Sequence, residues 1–328
     1  MDISIIIVSY KTPELVLGCI RSIFESAPSL KFEIIVVDNA NHDGTKALIF
    51  DHFQEIVWID AGYNAGFARA NNLGIKRAKG EHILALNPDT TIKPPFLDDF
   101  ISFYKAKNIE LKSKLGFLTC RIVSSLDQTL QVGSGKKFVG FKKEIAKNPI
   151  FIYLNRIINV TENSYDPAVS HFTNHEVDFV SGACFIIEKS KIHASKLYFD
   201  EDFFLYYEDL ELSYRSRKLD FRNYFCGDLE IFHVNSASTS KITDKNYQIN
   251  ISEYLFYFKR FNRIAYFLMG YLIWFNFLLN RFLLKRKNET ELLIALSKEE
   301  AIFKKYYFQI PDVYGKNGRK KTDYLKYD

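Results

Sequence analysis

The sequence predicts an α/β protein built on a mainly parallel sheet with helices on both faces. Three observations support this prediction. The N-terminal third of the 328 residues alternates short, wholly apolar runs with segments of helical periodicity. Apolar runs without polar alternation are typical of parallel strands, which are buried on both faces. Strands that are separated by helices favour right-handed crossovers in a doubly wound sheet.

The first strand is predicted at Ile3–Ser9, close to the start of the chain. The acidic Asp2 and the shortness of this apolar run are unlike a secretory signal. A helix is expected to begin at Thr12-Pro13, because threonine is a favoured cap and proline suits the first helical position. The next predicted elements are, in order, a strand at Phe32–Asp38, a helix at 43–53, a strand at 55–60, a helix at 65–77 and a strand at His82–Leu86.

The later part of the chain is less regular. A strand is expected at 115–121 and irregular loops over 124–174, where Gly, Lys and Asn mix with short apolar pieces. A helix is expected to begin near Glu208. We predict an α/β domain over residues 1–245 and a helical extension over residues 246–328. Regular structure in the second half of the first domain is expected over 177–187, 203–217 and 221–234.

One aromatic segment accounts for the net positive charge of the chain. The net charge is +5, yet residues 254–288 hold seven basic residues and no acidic one. Nucleic-acid binders spread Lys and Arg over a recognition face, so we expect no nucleic-acid partner. Basic residues around an aromatic, apolar run are typical of a membrane surface. The 16 uncharged residues from Ile264 to Leu279 are fewer than the roughly 20 of a spanning helix, so we expect peripheral contact.

Location and assembly are constrained by two further features. The same basic segment is also explained by helices packed on the α/β domain or in a dimer interface, so an oligomer stays open. The four cysteines, Cys19, Cys120, Cys184 and Cys226, lie far apart in apolar runs without any CxxC pair. Isolated cysteines of this kind are typical of buried thiols in a reducing compartment. We therefore expect a cytoplasmic protein without a disulfide framework.

Polar residues at the strand ends are candidates for chemistry, because ligands bind beyond the carboxyl ends of parallel strands. Asp89, in the Asn87-Pro88-Asp89 turn, offers a carboxylate that could hold Mg²⁺ or Mn²⁺ against a diphosphate. Asp38 ends a strand and could accept a hydrogen bond from the imide of uracil or thymine. Both residues are also explained by ordinary turn chemistry.

A glycine-containing loop, an acidic block and one histidine are further candidates. Residues 62–67 precede a helix containing Asn71, and glycines at a helix N-terminus suit a phosphate or simply form the helix entrance. Glu208 and Asp209 begin a helix, where a carboxylate could act as general base or merely complement the helix dipole. His233 follows an apolar strand, either as a half-buried side chain or as a metal ligand or phosphate donor.

Six segments occur in a recognisable order. They are Ile6-Ile7-Val8-Ser9-Tyr10, Val36-Val37-Asp38-Asn39, Asn64-Ala65-Gly66-Phe67-Ala68 with Asn71-Asn72, Leu86-Asn87-Pro88-Asp89, Val180-Ser181-Gly182-Ala183-Cys184, and Phe204-Leu205-Tyr206-Tyr207-Glu208-Asp209. Together they resemble the inverting glycosyltransferase family two, which has the GT-A fold. The resemblance extends over about residues 3–240 and is strongest to the bacterial rhamnosyltransferase-like branch.

The resemblance implies a role for each matching residue. Asp89 would bind the divalent metal, Mg²⁺ or Mn²⁺, with His233 as a further metal or phosphate contact. Asp209 would be the catalytic base, with Glu208 as its neighbour. The residues implied in donor binding are Ser9, Tyr10 and Asp38 at the base and ribose, Asn64, Gly66 and Asn71 in the donor pocket, Asn87 in the metal motif, and Gly182 under the donor sugar and acceptor.

The implied function is metal-dependent, inverting sugar transfer in bacterial surface polysaccharide synthesis. The donor would be a nucleotide sugar, dTDP-rhamnose or a UDP-sugar, and the acceptor a glycan or a lipid-linked sugar. A lipid-linked acceptor fits a cytoplasmic enzyme on the inner face of the membrane. This chain differs from the family at position 87, where Asn87 replaces a frequent aspartate, and in the His-x-x-Gly segment after His233.

Two other classes of protein stay open at this point. A sugar-phosphate nucleotidyltransferase would need a glycine-rich, basic loop after the first strand, and residues 9–13 contain no glycine. A catalytically silent, membrane-bound scaffold would not need both Asp89 and Asp209, which are present. Turnover of a nucleotide-sugar donor would exclude the scaffold.

Overall fold

A computed structural model describes residues 1–26, 29–39, 43–124, 172–234 and 242–314. Within these residues one nine-stranded sheet is flanked by helices, which confirms the predicted fold class. The strands are β1 Ile3–Ser9, β2 Phe32–Asp38, β3 Val57–Asp60, β4 His82–Leu86, β5 Thr90–Thr91, β6 Leu115–Ser124, β7 His175–Val177, β8 Cys184–Glu188 and β9 Arg222–His233. The loops expected over 124–174 lie almost entirely outside the described residues.

Helices cover both faces of the sheet and also form a separate C-terminal group. They are α1 Pro13–Glu25, α2 Thr45–His52, α3 Gly66–Arg77, α4 Phe96–Glu110, α5 Lys189–Ser195, α6 Glu208–Lys218, α7 Ile242–Arg260, α8 Arg263–Arg286, α9 Thr290–Ile302 and α10 Ile310–Tyr314, with a π-helical turn at Phe303–Tyr307.

The N-terminal half of the sheet is parallel, in the order β3-β2-β1-β4. Ile5 and Ile7 of β1 belong to the same buried cluster as helix α1, whereas Ile6 belongs to the cluster that contains helix α3. Both faces of the strand are therefore covered, which explains its nearly continuous apolar sequence. Gly74 permits the close approach of α3, since a Cβ there would lie 2.5 Å from Ile6 Cγ2.

The other half of the sheet is mixed. Strand β8 lies antiparallel between β4 and β6, β6 pairs in parallel with β9, and β5 and β7 pair antiparallel with β9. The antiparallel strands were not predicted from the sequence. A strand that is buried on both faces has the same apolar pattern in either direction, so the pattern does not encode its orientation.

Two local features differ from the sequence expectations. Pro13 occupies the first helical position of α1 as predicted, but the Thr12 side chain makes no capping hydrogen bond. Its backbone (φ −142°, ψ 57°) departs from the β-region geometry usual for a cap. Helix α4 was not predicted at all, although Phe96, Phe100 and Tyr104 recur at helical spacing and are buried. That spacing was the signal for this helix.

A second compact unit comprises Leu205–Tyr207 and the described residues from 242 onward, whereas the first unit contains the whole sheet. The predicted domain boundary at residue 245 stays a prediction. The helices of the second unit are held together by aromatic packing. Tyr266 and Tyr307 stack with ring centroids 4.4 Å apart, and Tyr266 OH donates to Tyr307 O at 2.7 Å.

Helix α8 is apolar on two sides. One side of the helix is buried within the second unit. A long apolar and aromatic surface on the rest of the helix is exposed. The exposed residues are Ile264, Phe267, Leu268, Tyr271, Trp274, Phe275, Leu278, Phe282 and Leu283. By length and composition this 24-residue helix is a candidate membrane span, because an 18-residue window within it has a mean hydropathy of 1.5. Buried core helices of soluble proteins pass the same test.

Candidate active site

Asn39 organises the loop after the second strand. Its Nδ2 donates to Asn64 Oδ1 at 3.1 Å, and its Oδ1 accepts from Ala65 N at 2.7 Å. Asn64 Oδ1 also accepts from Gly66 N at 3.3 Å. The family resemblance implied that Asn64 and Gly66 lie in the donor pocket, and no sequence pattern indicated a role for Asn39. The amide pair shows that Asn64 is itself positioned by Asn39.

The residues expected at the nucleotide base lie on adjacent strands. Ser9 ends β1 directly opposite Asp38, which ends β2. Both side chains are buried, whereas Tyr10 is half-buried. Asn39 N donates to Ser9 O at 2.9 Å, and Ala61 N donates to Asp38 O at 2.9 Å. The structure therefore brings Ser9, Tyr10 and Asp38 together at one edge of the sheet.

Gly66 begins helix α3 in close contact with Phe204. Its φ of +77° is left-handed, and a Cβ would lie 2.3 Å from Phe204 O. Phe67 N donates to the same carbonyl at 2.8 Å. Packing alone therefore requires glycine here. Asn71 donates from Nδ2 to Phe67 O at 3.0 Å within the helix, whereas the buried Asn72 holds the backbone of Phe199.

Asp89 and His233 form the most direct side-chain pair at the strand ends. His233 Nε2 lies 2.9 Å from Asp89 Oδ1, and Asn87 Nδ2 lies 3.4 Å from the same ring nitrogen. Pairing of Thr90 with His233 between strands β5 and β9 explains the contact. Val234 N donates to Asp89 O at 2.9 Å and fixes the turn further.

Two side chains of helix α1, Cys19 and Ser22, contact the turn that contains Asp89 and the residues after it. Thr90 Oγ1 donates to Asn87 O at 2.6 Å, and Cys19 Sγ lies 3.6 Å from both Asn87 O and Thr90 Oγ1. Ser22 Oγ accepts from Ile92 N at 3.2 Å. Burial raises the pKa of Cys19 to about 12, so it stays a neutral thiol. No pattern in the sequence predicted these supporting contacts.

Asp209 is held by two backbone amides. Its Oδ2 accepts from Gly182 N at 2.8 Å, and its Oδ1 accepts from Leu210 N at 2.8 Å. Burial raises the pKa of this half-buried carboxyl above its usual range, and the amide hydrogen bonds oppose that shift. The carboxylate is thus fixed in orientation and made more basic, which suits a general base.

The two glutamates near Asp209 in helix α6 have different surroundings. Glu208 is buried, its Oε2 has no hydrogen-bond partner among the described residues, and burial together with Asp209 raises its pKa well above the usual range. Glu211 is buried but accepts two hydrogen bonds from Arg215 Nε, at 2.8 and 2.9 Å. Glu211 is therefore held in an ion pair, whereas no cation of the described part of the chain pairs with Glu208.

The turn at residues 181–184 joins the two carboxylate sites. Gly182 N donates to Asp209, and Ala183 O accepts from Asn87 N at 2.9 Å. A Cβ at Gly182 would lie 3.2 Å from Phe67 Cε1 and 3.4 Å from Asp209 Oδ2. The residues predicted for metal, sugar and base thus meet around one backbone turn.

The side chains at Asp89 fit a metal that is shared with a substrate. Within the described residues no three His, Cys, Asp or Glu side chains cluster as a complete metal site. Asp89 and His233 offer one carboxylate and one imidazole, with the Asn87 amide beside them. Mg²⁺ and Mn²⁺ take oxygen ligands such as the Asp89 carboxylate and complete their shells with water and phosphate, whereas His233 would add a nitrogen ligand.

Part of the sequence matches known proteins. Residues 4–110 match the model of glycosyl transferase family 2. The low-salt glycan biosynthesis hexosyltransferase Agl10 of Haloferax volcanii is 25% identical over 252 residues, which is 76% of this chain and 72% of that protein. Poly-beta-1,6-N-acetyl-D-glucosamine synthase of Staphylococcus epidermidis is 31% identical over 119 residues, 36% of this chain and 27% of the synthase.

Solved structures support the fold alone. The crystal structure of S. aureus TarS matches with a TM-score of 0.51 at 13% identity, over 97% of this chain and 56% of that one. The structure of GalNAc-T7 with UDP, GalNAc and Mn²⁺ matches with a TM-score of 0.50 at 13% identity, over 78% of this chain and 50% of that one.

The sheet has the GT-A fold, and the family match together with the hexosyltransferase relative identifies a glycosyltransferase. Residues 4–110 carry the match to glycosyl transferase family 2, and the chain is similar to glycan and polysaccharide synthases.

Proposed function

We propose that the chain is a metal-dependent, inverting glycosyltransferase that uses a nucleoside-diphosphate sugar. The observation that carries the proposal is the turn at residues 181–184, which contacts both Asp209 and the loop of Asp89. A base and a cation site joined by one turn suit a reaction in which a hydroxyl attacks while a diphosphate departs. Two separate structural roles would not require this shared support.

The proposed chemistry is a single displacement. Asp209 takes the proton of the acceptor hydroxyl as that oxygen attacks the anomeric carbon from the face opposite the nucleotide. Inversion follows, because no protein nucleophile takes part. The Gly182 and Leu210 amides keep the Asp209 carboxylate aligned. General-base assistance of this kind contributes about 10²–10⁴ in rate.

Asp89 and His233 are the residues proposed to hold the divalent metal, with Asn87 beside them. When bound, such a metal supplies positive charge against the diphosphate leaving group. Ser9, Tyr10 and Asp38 would hold the base and ribose at the adjacent strand ends. The combination of UDP and Mn²⁺ in the GalNAc-T7 structure supports divalent metal use.

The donor and acceptor are proposed from resemblance. The rhamnosyltransferase-like motifs favour dTDP-rhamnose or a UDP-sugar. The two curated relatives act in glycan biosynthesis and poly-N-acetylglucosamine synthesis by name, which supports a glycan or lipid-linked acceptor. We place the reaction in bacterial surface polysaccharide synthesis.

A thermal-shift screen tests the nucleotide and the metal together. UDP, dTDP and GDP are each added with and without Mn²⁺, because a ligand of the folded state stabilises it by about 2.7 kcal/mol at 100 times Kd. We expect UDP or dTDP to raise the melting temperature, and to raise it further with Mn²⁺. Absence of a shift with every nucleoside diphosphate would contradict the proposal.

We further propose that helix α8 contacts the inner face of the cytoplasmic membrane. Its exposed apolar surface is followed by Lys285, Arg286 and Lys287, which are all exposed. Bases near an anionic leaflet contribute about 1 kcal/mol each. Arg281 contributes less than the sequence suggested, because it pairs with Glu300. Anionic lipid is the occupant that this combination of charge and apolar surface favours.

Flotation with anionic vesicles tests the membrane proposal. The full chain should float with phosphatidylglycerol vesicles, less well in high salt, and Tyr271→Asp should release it because it charges the exposed surface. Phe308→Asp is the matched control, since Phe308 is also an exposed aromatic of the second unit but lies outside α8. Equal flotation of both variants, or a salt-stable dimer in place of flotation, would reject membrane contact through α8.

A further inference from the structure

The three residues immediately before the Glu208-Asp209 pair belong to the helical unit rather than to the unit that contains the sheet. Ser252 Oγ donates to Leu205 O at 2.7 Å, and Tyr207 OH donates to Glu253 Oε1 at 2.6 Å. The Tyr207 ring also packs against Phe256, with centroids 5.9 Å apart. Helix α7 therefore holds this segment at both of its ends.

The backbone of the segment needs such support. Tyr206 and Tyr207 have φ values of 68° and 67°, a left-handed conformation that residues with a Cβ seldom adopt. Such conformations persist only where surrounding contacts fix them. Two of these contacts are side-chain hydrogen bonds, one from the Ser252 hydroxyl to the Leu205 carbonyl and one from the Tyr207 phenol to Glu253. Each of them can be removed by deleting one oxygen atom.

The residues on α7 that make these contacts are built into a buried network. Ser252 is 2% exposed and Glu253 is 3% exposed. Gln248 Nε2 donates to Ser252 Oγ at 3.2 Å, and Tyr257 OH donates to Glu253 Oε1 at 2.9 Å. One carboxylate oxygen thus accepts two phenol hydrogen bonds, of which only the one from Tyr207 reaches the segment.

We propose that Glu253 and Ser252 are positioning residues for the catalytic base. Tyr207 is two residues before Asp209 in the chain, so fixing its φ and its side chain fixes the start of helix α6 from which Asp209 projects. Asp209 needs that fixed start to receive its hydrogen bonds from Gly182 and Leu210. The helical extension is then part of the catalytic apparatus, not only an anchor. This inference rests on the proposed role of Asp209.

The test compares two tyrosine-to-phenylalanine variants that each remove one hydrogen bond from Glu253 Oε1. Tyr207→Phe breaks the bond to the segment, whereas Tyr257→Phe is the matched control and leaves the segment bound. Misplacement of a reacting group by about 1 Å can cost about 10²-fold in rate. We expect Tyr207→Phe to lower kcat, measured as nucleoside diphosphate released from the donor, by at least about tenfold. The Kd for UDP or dTDP should not change.

Ser252→Ala should reproduce this loss, and the Tyr207→Phe and Ser252→Ala double variant should lose more than either alone. Tyr257→Phe should lower the melting temperature without changing kcat. Equal kcat losses in both tyrosine variants would show that only stability is affected, and kcat within twofold of wild type in Tyr207→Phe would overturn the proposal.

Amide hydrogen exchange provides a readout that does not depend on the donor. The Gly182 and Leu210 amides donate to Asp209. They should therefore exchange faster than in the wild type in Tyr207→Phe, and at the wild-type rate in Tyr257→Phe. If the wild-type chain releases no nucleoside diphosphate from any donor, the proposed function fails, yet the exchange comparison still decides the positioning. Unchanged exchange in Tyr207→Phe would refute the positioning role on its own.

Discussion

Asp89 and Asp209 are carboxylates of the same unit with different kinds of partner. Asp89 faces a side chain that can carry positive charge, because His233 Nε2 lies 2.9 Å from its Oδ1. Asp209 accepts from the Gly182 and Leu210 backbone amides, and burial raises its pKa. Partners of these two kinds suit different tasks. A carboxylate beside an imidazole suits a shared cation, whereas a desolvated carboxylate fixed by amides suits proton transfer.

The first prediction tests Asp209 as the general base. Asp209→Asn should lower transfer by about 10²–10⁴-fold, because an amide cannot take the acceptor proton. The Kd for UDP or dTDP should stay near the wild-type value in a thermal-shift titration. Wild-type kcat should fall as pH is lowered through the raised pKa of Asp209, above the usual 3.8.

Retained transfer in Asp209→Asn would shift the role of base to Glu208. Glu211 is not the alternative, because Arg215 occupies its carboxylate. The Asn variant keeps one acceptor for two amide donors, so its Gly182 and Leu210 amides should be checked by hydrogen exchange. A loss of nucleotide affinity as large as the loss of kcat would indicate a collapsed site instead.

The second prediction tests Asp89 as a residue of the proposed cation site. Asp89→Ala should weaken Mn²⁺-dependent binding of UDP or dTDP by at least about tenfold, a loss expected when metal-site partners are removed. Binding of uridine or thymidine, which lack the diphosphate, should change little. Calorimetry with both kinds of ligand measures the difference.

His233→Ala serves as the companion variant to Asp89→Ala. It should show the same preference for loss of the diphosphate ligand, because the imidazole contacts Asp89 directly. Equal losses for nucleoside and nucleoside diphosphate in either variant would mean that the turn at residues 87–90 has lost its shape. The support from Cys19 and Thr90 would then be the feature to examine.

The sequence predicted the parallel half of the sheet because its strands are apolar throughout and its helices have clear periodicity. Placing Ser9, Asp38 and Asp89 at strand ends needed only the rule that carboxyl ends share an edge. The pairing of Asp209 with Gly182 spans 27 residues, and no local pattern predicts such a contact. The same limit hid Asn39, which reaches Asn64 across 25 residues.

Contacts between distant segments also explain the other omissions. Tyr207 meets Glu253 across 46 residues, so the acidic block gave no sign that the helical extension supports it. The basic segment gave the charge of α8 correctly, but the pairing of Arg281 with Glu300 follows from the packing of α8 with α9. Local chemistry was predictable from the sequence, and the partners of each group were not.

The last prediction concerns Glu208, a third carboxylate, whose Oε2 has no hydrogen-bond partner among the described residues. Burial and the neighbouring Asp209 raise its pKa well above the usual glutamate value of 4.5. The folded state therefore keeps this proton to higher pH than the unfolded state does. Its contribution to stability is fully present below pH 4.5 and is lost as pH rises towards the folded-state pKa.

Glu208→Gln should remove that loss. Each pH unit between the two pKa values corresponds to about 1.4 kcal/mol, which is a few degrees in melting temperature. We expect the variant to melt a few degrees above wild type at pH 8 and by a smaller difference at pH 5, measured by calorimetry. Glu211→Gln is the matched control. It should melt below wild type at both pH values, because it leaves the Arg215 charge without its buried carboxylate. A Glu208→Gln variant that is less stable than wild type at pH 8 would show that the carboxylate is ionised and paired, and the contrast with Asp209 would then disappear.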